Sequence, residues 1–195
     1  VETGALASRI LFEGRRACGV TYVRNGQTIS ARAGHGVNIS GGAVNSPQLL
    51  QLSGIGPAAL LKDKGIEVVA DNGNVGAHLS DHQGINYTWR MKVPTLNDAL
   101  RPWVGKLKVG LQYLLSGTGP LSLSINHGGG FFKTDPAQPR PNMQLYMQAF
   151  STLLPRAGER PVLSPDPFSG LSIGLSNCRP TSRGEITLKS SDAKQ

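Results

Sequence analysis

Four histidines, two cysteines and one glycine-rich turn are the residues of this sequence whose types could do chemistry. Neither Cys18 nor Cys178 belongs to a CxxC pair, so they read as one bridge or as two separate thiols. His35, His78, His82 and His127 suggest no metal centre, and none is expected. The glycine turn is more informative. It lies in SGGAVNSPQLLQLSGIGP, residues 40–57, where a strand is expected to end at Gly41-Gly42 and a helix to open at Ser46-Pro47. A strand, a glycine loop and a helix N-terminus together suit an anionic group. Glycine lets the backbone come close, and free N–H groups and the helix dipole favour negative charge. The loop is neither GxGxxG nor a Walker A loop, so taken alone it is better explained as a tight junction of small residues built for packing.

The elements around this turn follow from periodicity. LASRILFEG and ACGVTYVRNGQTISARAG read as strands, with Asn25-Gly26 as a hairpin turn. HGVNIS, residues 35–40, reads as a further strand. Ser46 is placed to cap a helix with Pro47 at its first position, and Gly54 to stop it. A short helix follows over 57–64, and IEVVA reads as a strand. Residues 71–82 form an irregular loop. INYTWRMKV then alternates like a strand, and Thr95 with Asp98 makes a capping box. Leu96, Leu100, Trp103, Leu107, Leu111 and Leu114 follow at steps of four and three. They predict one helix of about twenty residues whose apolar stripe packs into a core. LSINHGGGFFKT, NMQLYMQAF, LSIGLSNCRP and GEITLKS read as four more strands, with proline-rich loops at 135–141 and 155–170. The expected fold is α+β, an antiparallel sheet with a long helix packed on it, preceded by other strands and short helices.

With 195 residues, 38% of them hydrophobic and 16% charged, the chain can bury a real core. No apolar run approaches the roughly 18–20 residues of a membrane span, and peripheral membrane association stays open. The net charge is +8, but Arg15-Arg16 is the one adjacent basic pair and no aromatic residues interleave with the cations. A nucleic-acid partner is not expected. The chain opens on Val1 and ends on SSDAKQ with no closing element, which raises the expectation of a piece of a longer protein.

GAVNSPQLLQLSGIG, residues 42–56, resembles the second signature of the glucose–methanol–choline (GMC) family of flavoprotein oxidoreductases. The match runs through Gly42, Ala43, Ser46, Pro47, Leu49, Leu50, Ser53, Gly54, Ile55 and Gly56. NVGAHLSDH is similar to the family's VGxNLxDH loop. GTGPLSLSINHGGGFFKT and PTSRGEITLKSSD resemble later segments of its choline dehydrogenase-like branch. The resemblance covers the whole chain. It implies that residues 1–83 are part of an FAD-binding domain and 84–195 an incomplete substrate-binding domain. It also implies a parent enzyme that passes hydride from an alcohol to flavin N5. Ala7 is then an FAD contact, with Gly42 and Ala43 near the dinucleotide, and the substrate is a small-molecule alcohol.

The same resemblance implies that the family's Rossmann GxGxxG unit and catalytic histidine lie outside these residues. No catalytic residue is therefore assigned. The chain alone is expected to be inactive, to hold FAD weakly and to expose an apolar surface that invites self-association. Departures from the pattern are Asn38 in VNIS, DNGNVG before the loop, and His78 for the usual asparagine. Asn126 and His127 are the candidate substrate contacts. Choline-handling relatives place a glutamate where His127 stands, and a histidine cannot supply a permanent negative charge to a quaternary cation. The alternative to an oxidoreductase is a stand-alone, non-catalytic binding or scaffold domain.

Overall fold

The structure is a computed structural model describing residues 1–152 and 164–195. The stretch 155–170 thus falls partly outside the described residues. The chain divides into two compact units, Val1–Ser80 with Thr181–Gln195, and Asp81–Pro180. Residues 181–195 thus pack with the N-terminal residues and not with those that precede them.

The first unit opens with an antiparallel meander of β1 (Leu6–Glu13), β2 (Arg16–Arg24) and β3 (Gln27–Arg32). The Asn25-Gly26 turn joins β2 to β3 with positive φ at both residues, as this hairpin type requires. Helix α1 (Gly42–Leu52) follows, then β4 (Ile55–Gly56), α2 (Ala58–Asp63) and β5 (Ala70–Asp71), which pairs parallel with β4. Leu52, Leu61, Ile66 and Leu188 form the core here, with Val68 and Ala193 against it. Each large side chain so buried contributes roughly 1.5–3 kcal/mol.

Three expectations change in this unit. Helix α1 starts at Gly42, not Ser46, so Pro47 stands inside it, where it has no N–H to offer the preceding turn. Residues 35–40 form no strand, because no described neighbour pairs with their backbone. GEITLKS is no strand either. Gly184 bridges Leu79, and the Ile186 N–H donates to the Gly76 carbonyl at 2.7 Å.

The second unit is built on an antiparallel sheet ordered β6 (Gly84–Arg90), β9 (Gly170–Asn177), β8 (Met143–Gln148), β7 (Gly128–Phe132). The register sorts its residues onto two faces. Ile85, Tyr87 and Trp89 stand opposite Leu175, Ile173 and Leu171, with Leu145 and Met147 alongside. Asn86, Thr88, Ser172, Ser176, Gln144 and Tyr146 share the other face. On the central strand β9 the polar side is the better covered, while the edge strand β6 is exposed on both sides. Ser172 and Ser176 are buried, whereas Ile85, Tyr87 and Trp89 are each more than two-fifths exposed.

The expected long helix is two helices, α3 (Leu96–Leu100) and α4 (Trp103–Ser116). Pro102 separates them, since its ring cannot continue the ladder. The capping box at Thr95 and Asp98 is present. The stripe on α4, expected in a core, lies open. Trp103 is 74% and Leu114 80% exposed, and Val109 is the buried residue of this helix. The α+β class with antiparallel sheets stands.

Candidate functional site

Two cavities, one within each unit, each carry one of the sequence-nominated residues on their wall. The first has a volume of about 580 Å³ and lies between β1, the segment 37–41 and helix α1. Ala7 is on its wall, with Ser40, Gly41 and Asn45. The remaining wall includes Leu6, Val20, Val37 and Ile39, suiting a flat apolar ring. The helix end beside it carries no side-chain cap and no acidic residue in its first turn. No side chain therefore offsets the positive dipole end of the helix there.

Gly42 opens α1 at φ 80, a conformation an L side chain rarely adopts. Neither Gly42 nor Ala43 lines this cavity. Ala43 faces a separate hollow with Pro47, Gly76 and Ser80. Of the nominated dinucleotide residues, the structure places Ala7 on the wall and Gly42 one residue away.

The second cavity, of about 430 Å³, opens on the polar face of the four-stranded sheet. Asn126 is on its wall with His82, Gly84, Asn86, Gln144, Tyr146 and Ser176. His127 is not. Its Nδ1 accepts the Ala149 N–H at 3.3 Å, its ring meets Phe150 edge-on, and its Nε2 is buried with no hydrogen-bond partner. The nominated pair is thus split.

Tyr146 can reach across the sheet because Gly174 lies beneath it. A methyl group there would meet the Tyr146 ring at 2.0 Å. The Tyr146 hydroxyl donates to Asn86 Oδ1 at 2.9 Å. The His82 Nδ1 lies 3.2 Å from the Asn177 carbonyl, which can only accept, so Nδ1 carries the proton. Asn86, Gln144, Tyr146 and Ser176 were missed as site residues. The signal was present in the period-two alternation of GINYTWR, MQLYMQ and LSIGLS, which sets polar residues on one face.

His78 and His82 are four residues apart, but they belong to different units and to no helix. Among the described residues no group of three His, Cys, Asp or Glu could hold a metal ion, and no helix is long and apolar enough to cross a membrane. Cys18 and Cys178 are free thiols.

Residues 1–84 match the family model for GMC oxidoreductase. An oxygen-dependent choline dehydrogenase of Burkholderia ambifaria is 39% identical over 193 residues, covering 98% of this chain and 33% of that protein. The chain thus spans about a third of the length of the curated relatives it matches. An Aspergillus oryzae formate oxidase superposes with a TM-score of 0.82 at 26% identity, over 98% of this chain and 37% of the other. An FAD-dependent oxidoreductase from Chaetomium thermophilum, 20% identical, shares the fold with a TM-score of 0.76 over 100% of this chain and 39% of its own. Along nearly its whole length the chain is similar in sequence and in fold to oxidoreductases of the glucose–methanol–choline family, whose model its first 84 residues match.

Proposed function

We propose that this chain supplies part of the FAD site and the substrate-facing sheet of an FAD-dependent alcohol oxidoreductase. The observation that carries the reading is the cavity at the uncapped N-terminal end of α1, with Ala7 on its wall. Apolar walls beside the positive dipole end of a helix fit a ligand that joins a flat ring to an anionic linker. In this reading Val1–Ser80 with Thr181–Gln195 belongs to the FAD-binding domain, and Asp81–Pro180 to the substrate-binding domain. FAD bound there supplies a flavin that takes hydride from the alcohol carbon. The contribution of these residues is to hold the cofactor and to present the polar sheet face to the alcohol.

Because the chain spans a third of its relatives' length, the reaction is proposed for the whole protein. The chain alone is proposed to be inactive and to self-associate through the open face of α4. Two measurements test the reading in the full-length protein. Alcohol added without oxygen should bleach the flavin absorbance. Ala7→Trp, which fills the cavity, should weaken FAD binding by at least about tenfold. Unchanged FAD affinity removes the cavity assignment, and a flavin that no alcohol bleaches removes the reaction.

Choline is proposed to be a poor substrate, although the Burkholderia ambifaria relative is named for it. No carboxylate lines the polar cavity, and the His127 imidazole is tied to the Ala149 N–H. Efficient choline turnover would sink this part.

A further inference from the structure

The polar cavity has a wall with one chemical character. Its side chains are the amides of Asn86, Asn126 and Gln144, the phenol of Tyr146, the hydroxyl of Ser176 and the imidazole of His82. No Asp, Glu, Lys or Arg lines it. Several groups are already oriented by the protein. Tyr146 donates to Asn86 Oδ1, which leaves the Asn86 NH₂ to donate and the phenol oxygen to accept. Gln148 Nε2 donates to Asn126 Oδ1 at 3.2 Å, which leaves the Asn126 NH₂ to donate. His82 Nδ1 donates to the Asn177 carbonyl, so Nε2 is the nitrogen left to accept. Phe131, opposite Gln144 in the register, stands on the same face as an apolar flank.

We propose that this cavity binds a neutral polyhydroxy compound of the sugar-alcohol type. The inference rests on the alcohol oxidoreductase reading and names its substrate class. A hydroxyl both donates and accepts, and neighbouring hydroxyls along a carbon chain match a wall that offers both donors and acceptors. A charged ligand would lose its hydration and find no counter-charge. A simple aliphatic alcohol would use at most one or two of these polar groups and leave the rest of the wall without a ligand partner. A volume of about 430 Å³ lies within the range of small-molecule sites.

The test is an NMR titration of the 195-residue chain, following the side-chain amide signals of Asn86, Asn126 and Gln144. The probes are D-sorbitol, butan-1-ol, and choline chloride matched with sodium chloride. Sorbitol should shift all three amides saturably, and the other two probes should not. Gln144→Leu should weaken sorbitol binding by at least about tenfold. If that variant unfolds, Asn126→Ala, outside the strands, should do the same. No saturable shift with sorbitol overturns the proposal, as does choline saturating the same amides at equal or lower concentration. The readout contains no flavin, so the two readings fail separately. Sorbitol binding without flavin bleaching by any alcohol in the full-length protein leaves the ligand class standing and removes the reaction. Bleaching without a sorbitol shift removes the ligand class alone.

Discussion

Each of the two units is tied together by one fully buried primary amide, and the surroundings of the two amides are opposite. In the first unit Gln51 on α1 donates from Nε2 to the carbonyls of Val75 and Ile186, and its Oε1 accepts the Leu188 N–H at 3.1 Å. It joins helix, loop and returning C-terminal segment next to Leu52, Leu61, Ile66 and Leu188. In the second unit Asn97 on α3 donates from Nδ2 to Ser151 Oγ and the Phe168 carbonyl, and its Oδ1 accepts the Ser151 N–H at 2.9 Å. Val109 apart, the other buried side chains of that unit among the described residues are polar, Ser151, Asp166, Ser172 and Ser176, and Ser151 bonds to Asn97 directly. Val109 is the one buried hydrophobic residue of that unit among those described. An amide in an apolar core has no substitute partners, because the neighbours cannot hydrogen-bond and water cannot enter cheaply. An amide bonded to a serine has beside it a hydroxyl that can rotate to replace part of what is lost.

Gln51→Leu is the sharpest way to break this comparison, with the largest expected effect. It keeps the bulk and strands the Val75 and Ile186 carbonyls and the Leu188 N–H, at a cost of roughly 3–6 kcal/mol. Hydrogen exchange at the Leu188 amide should accelerate accordingly, while exchange at the Ser151 amide stays unchanged. If both amides accelerate together, the units do not open independently and the comparison loses its basis.

Asn97→Leu comes next. It removes the same number of hydrogen bonds, yet the expected loss is only about 2–3 kcal/mol, because the Ser151 hydroxyl and water can partly satisfy the orphaned groups. Exchange at the Ser151 amide reads it. A loss equal to that of Gln51→Leu would show that the chemistry of the surroundings does not matter and that bond number alone does.

Gly174→Ala sharpens the picture of the polar face. The new methyl group would lie 2.0 Å from the Tyr146 ring, so the ring must leave Gly174 and with it Asn86. Overpacking of this kind costs about 1–2 kcal/mol. The same variant should abolish the sorbitol shift at the Asn86 amide, a separate readout from stability. A retained shift would mean that Tyr146 does not shape that wall.

What the sequence could reveal follows from the range of each signal. The β2–β3 hairpin and the Thr95 capping box were legible because Asn25-Gly26 and Thr95…Asp98 act within four residues. The start of α1 differs because Ser46-Pro47 is a good local helix opening, yet α1 already begins at Gly42, whose positive φ turns the chain into it. The strand expected at 184–190 failed because pairing depends on a distant partner, and the Leu188 N–H goes to the Gln51 side chain instead of a ladder. The apolar stripe on α4 was read correctly as a stripe, but periodicity says nothing about what covers it. Gln51 and Asn97 read as ordinary helix-surface residues. Nothing local marks a glutamine that meets a backbone 135 residues later.

The smallest expected effect is a pH dependence at the start of α3. The Thr95 N–H donates to Asp98 Oδ2 at 2.8 Å. That bond first, then the Ser169 hydroxyl and the Arg101 charge, hold the Asp98 carboxyl below its ordinary value of 3.8. A carboxyl whose pKa is lower in the folded state stabilises the fold above its unfolded pKa, and that contribution is lost as pH falls through the folded one. The capping box should therefore persist at pH 4 and open only in stronger acid, with the Thr95 amide signal titrating at a midpoint below 3.8. Asp98→Asn, which keeps the shape and removes the charge, should abolish that titration and leave Gln51 and its hydrogen bonds untouched. A midpoint at or above 3.8 would mean that the cap gives the carboxylate no net stabilisation. The first turn of α3 would then owe its place to Asn97 and its buried hydrogen bonds alone.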